Sequence, residues 1–150
     1  MPSDADLIKL YSQRILALAA DLSLRERLDA PEVSVKKRAP LCGSSITVDL
    51  VTENGRITEY GQDVKACALG QAAAALVAHH VIGRDRAEIE AARDALRDLL
   101  AGRGNGPEAP FAGFEVMEAA REFTNRHASI MLALDATADA MGQAEARNCA

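Results

Sequence analysis

The sequence predicts an α+β fold, a small three-stranded antiparallel sheet with helices packed on one face. Three observations carry this reading. Polar–apolar alternation is confined to residues 32–60, an Asn54-Gly55 turn folds that stretch back on itself, and the text after residue 67 reads as helix. Without β-α alternation there is no route to a parallel sheet, so the strands pair as neighbours and the helices gather on one side.

The elements follow in order. Ser3 is a good N-cap, Asp6 sits three residues later, and Leu7, Leu10, Ile15 and Leu18 recur at roughly helical spacing, so a helix opens the chain. A polar segment, 23–29, ends at Ala30-Pro31. Residues 32–36 alternate, and 45–52 alternate more cleanly with β-branched side chains. Asn54-Gly55 supplies the two positive φ values of a type I′ hairpin, residues 56–60 return as its partner strand, and Gly61 is expected to mark a bulge. Residues 68–82 form an alanine-rich helix that stops at Gly83. Asp85 and Glu88 open a second helix over 86–101, with Ile89, Ala92, Leu96 and Leu99 on one face. Residues 102–110, rich in glycine and proline, form a flexible loop. Residues 111–121 make a short helix, Thr124 or Asn125 caps a last helix to about Met141, and a frayed tail begins at 142.

Composition limits the function. A chain of 150 residues with 49% hydrophobic and 26% charged residues is one globular domain, 1–150. Lys and Arg total 17 against 22 Asp and Glu, and the net charge of −5 argues against a nucleic-acid binder. No apolar run reaches the roughly 18 residues of a membrane span. The acidic start has no signal-peptide charge pattern, so the protein is expected in the cytoplasm. Aromatics are 3% and Trp is absent, leaving a core of Ala, Leu, Val and Ile in which helices approach closely. No Ser-His-Asp arrangement, Gly-x-Gly-x-x-Gly or phosphate loop is present, so no catalytic turnover is expected.

The chemistry rests on cysteine. Cys42, Cys67 and Cys149 are too few for a disulfide framework, and in a reducing compartment they are free thiols or metal ligands. Taken unbroken, the hairpin register pairs Leu50 with Glu59, Ile46 with Asp63 and Cys42 with Cys67, and opposed residues have Cβ atoms roughly 4.5–5.5 Å apart. A bulge shifts this by one position but keeps both thiols at the same end. Gly43 lets backbone approach a ligand closely. Cys67 starts the alanine-rich helix, where unpaired N–H groups favour a thiolate, and Lys65 adds positive potential. Two thiolates do not close a tetrahedral site. Ser44 and Asp63 lie near in the register, and His127 and Ser129 start the last helix, so these are the candidates for the remaining positions. His79 and His80 point to different faces and receive no role, and Cys149 sits in the tail.

Taken together, Ala39-Pro40-Leu41-Cys42-Gly43, Ile46-Thr47-Val48, Asn54-Gly55-Arg56-Ile57, and Ala66-Cys67-Ala68 followed by Gln71-Ala72-Ala73-Ala74 resemble the NifU/IscU/SufU iron–sulfur cluster assembly scaffolds. The stretch from Phe111-Ala112-Gly113 through Arg126 to Leu132-Ala133-Leu134 resembles the SufU-like branch. The similarity covers most of 5–141 and is most specific over 39–75. It implies a SufE/NifU-like fold and a non-catalytic scaffold or carrier. Such a protein receives sulfur from a cysteine desulfurase, binds iron, and passes a transient iron–sulfur cluster to apo-protein acceptors. Members also bind zinc at this site.

The family's site uses three cysteines and an aspartate. Here Cys42 and Cys67 match, Ser44 stands at the aspartate, Ala66 at the glycine before the second cysteine, and Ser129 at the third cysteine (or Ala128, if His127 is matched to the histidine of the IscU branch). A protonated serine is a poor ligand. A homodimer sharing one cluster, or an external thiol such as glutathione, would complete the ligand set. The alternatives are a zinc-bound sulfur-acceptor adaptor of a desulfurase, and a degenerate relative that binds no metal.

Overall fold

The computed structural model describes residues 11–41 and 43–148. Its sheet has three antiparallel strands in the order β1 (Val33–Ala39), β2 (Ser44–Glu53) and β3 (Arg56–Lys65). Around it run helices α1 (Gln13–Ala20), α2 (Ala68–His80), α3 (Arg86–Leu100) and α4 (His127–Asn148), with 3₁₀ segments at Ala112–Ala120 and Thr124–Arg126. This is the α+β architecture that the alternation and the Asn54-Gly55 turn predict. Asn54 and Gly55 take φ of +54° and +79°, as that turn requires.

Val33, Val35, Ile46, Val48, Leu50, Ile57 and Tyr60 face the helices and are buried. The central helix is α2, buried along nearly its whole length, because Ala72, Ala73, Ala74 and Ala75 let α1 and α4 pack on both of its flanks. Against the sheet, α4 covers β1 and β2, while α3 lies outside α4. A buried polar bolt joins the layers. The Tyr60 hydroxyl lies 2.9 Å from Thr137 Oγ1 in α4, and Gln62 Nε2 donates to both Tyr60 and the carbonyl of Ala74 in α2. Burial pushes the Tyr60 phenol up to about 12, so it stays protonated and available to this network.

The hairpin register departs from the unbroken one. Thr52 pairs with Ile57, but Val51 pairs with Glu59, so the bulge falls at Thr58 and not at Gly61. Leu50 therefore faces Tyr60 instead of Glu59, and Ile46 faces Val64 instead of Asp63. The reason is burial. An unbroken ladder turns Glu59 and Asp63 toward the core, whereas one extra residue brings Tyr60 and Gln62 inward and leaves both carboxylates exposed.

Gly61 has a different function. The segment after α1 crosses the outer edge of β3, with Gln62 N–H donating to the Leu24 carbonyl at 2.9 Å. A Cβ on Gly61 would collide with the backbone carbonyl of Glu26. The same segment is anchored on fully buried Asp49, which accepts from Arg27 Nε at 2.6 Å, Arg27 Nη2 at 3.0 Å, Leu28 N–H at 3.0 Å and the Ser34 hydroxyl. Burial alone raises the Asp49 pKa, but these donors outweigh it and hold the carboxyl below its usual range.

Two helix limits differ from expectation. The helix holding Ile15 starts at Gln13, capped by Ser12 accepting from Ile15 N–H, while Ser3 and Asp6 lie outside the described residues. The last helix runs past Met141 and Gly142 to Asn148, held there by buried Ala144 and the Arg86–Glu145 ion pair at 3.3 Å. The capping box at Asp85 and Glu88 forms as predicted. Among the described residues, no helix is long and apolar enough to cross a membrane.

Gly61→Ala is expected to lower stability by about 1–3 kcal/mol through this backbone collision, measured by urea denaturation. Asp49→Asn is expected to cost about 1–3 kcal/mol at pH 7 by disrupting buried partners. Because the folded pKa of Asp49 is depressed, its stabilisation is present above the ordinary aspartate pKa and fades as pH falls through the folded value. The variant should lose that part of the acid sensitivity in the same titration.

Candidate functional site

Three nucleophilic side chains meet where the open end of the sheet joins the helices. Ser44 opens β2 on its core side, Cys67 caps α2 just beyond the last residue of β3, and Ser129 lies in the first turn of α4. Ser129 Oγ stands 3.0 Å from Ser44 Oγ and 3.5 Å from Cys67 Sγ, within hydrogen-bonding reach of both. Ser44 and Ser129 are buried at 3% and 1% exposure, while Cys67 is half-buried and reachable from solvent. Sequences far apart converge here because the ladder ends at Ser45–Lys65 and hands the chain directly to α2. The approach of α4 to α2 depends on Gly70, where a Cβ would stand 2.5 Å from Ser129 Oγ.

The electrostatics favour a thiolate. Burial pushes the Cys67 thiol up, but the backbone N–H of Gly70, the Ser129 hydroxyl, the N–H of Leu69 and the charge of Arg126 together hold it below the ordinary thiol range. When the sulfur is deprotonated it only accepts hydrogen bonds, so in that state Ser129 donates to it and its oxygen is left to accept from Ser44. Cys67 is thus a thiol at a helix N-terminus, oriented by a hydroxyl that is itself oriented from the sheet.

The other sequence candidates are placed differently. His127 begins α4, but its Nε2 lies 2.9 Å from the carbonyl of Ala120. Asp63 is exposed on the outer sheet face, opposite Thr47, and the bulge is what put it there. Lys65 is exposed on the same face, and the cation that acts on Cys67 is Arg126. Cys42 and Cys149 lie outside the described residues, and Cys42 falls between Leu41 and Gly43 in the segment joining β1 to β2. Among the described residues, no group of three or more His, Cys, Asp or Glu is arranged to hold a metal ion. Sequence reasoning missed Arg126 and Gly70. The one available sign for Gly70 was a glycine three residues after a helix-capping cysteine.

Neither a protein-family model nor a curated protein matches the sequence. Solved structures do. A nitrogen-fixing NifU-like protein (N-terminal) from Brucella abortus superposes with a TM-score of 0.92 at 38% identity, covering 95% of this chain and 99% of that one. The chain belongs to the NifU-like family. A second structure, named as an iron–sulfur cluster assembly scaffold protein for the SUF system of the thermophile Fervidobacterium islandicum, gives a TM-score of 0.78 at 14% identity over 89% of this chain and 98% of that one. A hypothetical protein gives 0.73 at 24% identity over 85% and 96%. These two share the NifU-like fold at lower identity.

For this NifU-like chain, the pH profile of Cys67 alkylation, measured with Cys42 and Cys149 replaced by serine, should have its midpoint below that of an ordinary thiol. Ser129→Ala should move the midpoint up. An unchanged midpoint would remove the hydroxyl from the set of groups that hold the thiolate.

Proposed function

We propose that this NifU-like protein is an iron–sulfur cluster assembly scaffold or carrier whose chemistry runs through Cys67. The observation that carries the reading is the half-buried Cys67 thiol, favoured as a thiolate by Leu69 and Gly70 N–H and by Ser129. It sits in a chain 38% identical to a NifU-like domain over 95% of its length.

Accepting sulfur needs one activated thiolate. The Cys67 sulfur attacks the terminal sulfur of a persulfide on a cysteine desulfurase. The S–S bond of that persulfide breaks, a new S–S bond forms on Cys67, and the desulfurase cysteine leaves as thiolate, its electron pair retained. No outside oxidant or reductant is required. The backbone N–H groups and the Ser129 hydroxyl then solvate the sulfur they face.

Holding a cluster, the cargo of the reaction, demands more donors than one chain's described residues supply. In this reading Cys42 is the second sulfur ligand, and a second chain or a small thiol completes the set. Ser44 and Ser129 act as hydrogen-bond partners of sulfur, since Ser129 Oγ is already committed to both Ser44 and Cys67. His127 reaches a metal only by giving up its Ala120 contact. Zinc at the same sulfurs is the alternative cargo. The role is non-catalytic and cytoplasmic, with a desulfurase upstream and apo-proteins downstream.

Desulfurase turnover on cysteine, with and without this protein, tests the reading. The wild-type chain should raise alanine release and carry a sulfur of added mass on the Cys67 peptide. Cys67→Ser should reduce release to the level of the desulfurase alone. Equal stimulation by Cys67→Ser would overturn the assignment.

A further inference from the structure

Gln71 lies one turn into α2 and is tied to the Cys67 segment twice. Its backbone N–H donates to the Cys67 carbonyl at 2.9 Å, the first rung of the helix. Its side-chain amide turns back toward the end of β3, where Nε2 donates to the carbonyls of Val64 at 3.2 Å and Ala66 at 3.4 Å. Both protons of the amide nitrogen are thereby engaged, by the stretch of chain that leaves β3 and ends at the cap of α2. Cys67 takes the extended backbone of a cap residue, φ −66° and ψ 173°, and its sulfur faces the N–H groups of Leu69 and Gly70.

The amide is itself held from outside the helix. Its oxygen accepts from Arg25 Nη1, and Arg25 Nη2 donates at 2.8 Å to the main-chain carbonyl of the same glutamine. The guanidinium straddles the two oxygens of one residue, which leaves Nε2 turned toward Val64 and Ala66. Arg25 is half-buried and forms no ion pair among the described residues; Asp21, whose charge acts on it, is paired with His79 at 2.6 Å. Stapling the segment after α1 to α2 needs only the main-chain carbonyl of Gln71. The second bond, to Oε1, orients the amide, and the amide ends on the chain just before Cys67.

The free edge of β3 closes the circuit. Alternate residues of a strand present their backbone groups to the same edge, so Gln62 N–H and the Val64 carbonyl both face away from β2. Gln62 N–H donates to the Leu24 carbonyl at 2.9 Å, and two residues on the Val64 carbonyl accepts from Gln71. Leu24 and Arg25 are consecutive, so the bonds form a ring: Leu24 to Gln62, along β3 to Val64, across to Gln71, and back to Arg25. Neither Gln71 nor Arg25 is among the groups acting on the Cys67 sulfur itself.

We propose that Gln71 and Arg25 are positioning residues for Cys67: Gln71 fixes the backbone between β3 and α2 so that the sulfur stays on the first turn of α2, and Arg25 acts through Gln71 by orienting its amide. This rests on the sulfur-transfer reading for the reaction it affects, and adds which residues hold the thiol in place. Two variants of the full chain test it. Gln71→Met keeps the side-chain length and removes the donors and the acceptor. Arg25→Lys keeps the charge, but one ammonium does not reproduce the two-pronged grip. The readouts are amide hydrogen exchange at Leu69 and Gly70, followed by NMR, and cysteine desulfurase turnover against the concentration of this chain.

In both variants, exchange at Leu69 and Gly70 should quicken about threefold or more while the α3 amides, the control for global stability, exchange as in the wild type. Maximal stimulated turnover should fall by about threefold with the half-saturating concentration unchanged. The double variant should match Gln71→Met, since Arg25 acts through Gln71. If Gln71→Met does not fold, Arg25→Lys decides both readouts. A lowered melting temperature with wild-type exchange at Leu69 and Gly70 makes the pair a staple only and overturns the proposal. Effects that multiply in the double variant overturn the route through Gln71. A wild-type chain that leaves desulfurase turnover unchanged overturns the sulfur-transfer reading instead, and exchange at Leu69 and Gly70 then decides the positioning by itself.

Discussion

The hydroxyl of Ser129 lies between a β-strand and two helices, and the arrangement of the site depends on it. It can touch Ser44 at 3.0 Å and Cys67 at 3.5 Å only because β2 begins on its core side at Ser44, α2 begins at the thiol, and α4 comes close enough to α2 for its first turn to meet Gly70. Each condition is set elsewhere. The sheet is bolted to α2 and α4 through Tyr60, Gln62 and Thr137, and Tyr60 and Gln62 point inward only because of the bulge at Thr58. A local irregularity far along the hairpin thus fixes which side chains meet at its open end.

Much of this was readable from the sequence, and the part that was not has a physical cause. The turn at Asn54-Gly55, the capping box at Asp85 and the alanine-rich helix depend on local chemistry, and each formed as expected. The gathering of Ser44, Cys67 and Ser129 was half legible. Register arithmetic, although one residue out, brought Cys67 to the open end of the hairpin where Ser44 begins β2, and the family resemblance named Ser129. The bulge was misplaced because Gly61 looks like a bulge glycine, although it serves as the gap into which the Glu26 carbonyl fits. The clue lay in the side chains: in Ile57-Thr58-Glu59-Tyr60 two polar residues separate two apolar ones, and a strand can bury both ends only by adding a residue. Arg126 could not have been assigned to Cys67 without the turn of 3₁₀ helix that leads into α4.

Serine at position 129 changes the character of the site. A thiolate there could bind a metal directly, whereas a hydroxyl donates to the neighbouring sulfur. Chemistry is thereby concentrated on Cys67, which is exposed enough to react, while Ser44 and Ser129 stay buried. A single stabilised thiolate suits the receipt of sulfur better than the closed grip of a cluster. On the proposed reading, prolonged cluster binding would call on Cys42 and on donors from outside the chain.

Anaerobic reconstitution with iron and sulfide, read by visible absorption and by the iron content of the recovered protein, is the most direct test that iron–sulfur assembly runs through Cys67. The account predicts a coloured, iron-containing species for the wild type in the presence of a small thiol, and its loss in Cys67→Ser. A wild-type protein that stays colourless and iron-free under all such conditions, or a Cys67→Ser variant that loads as well as the wild type, would contradict it.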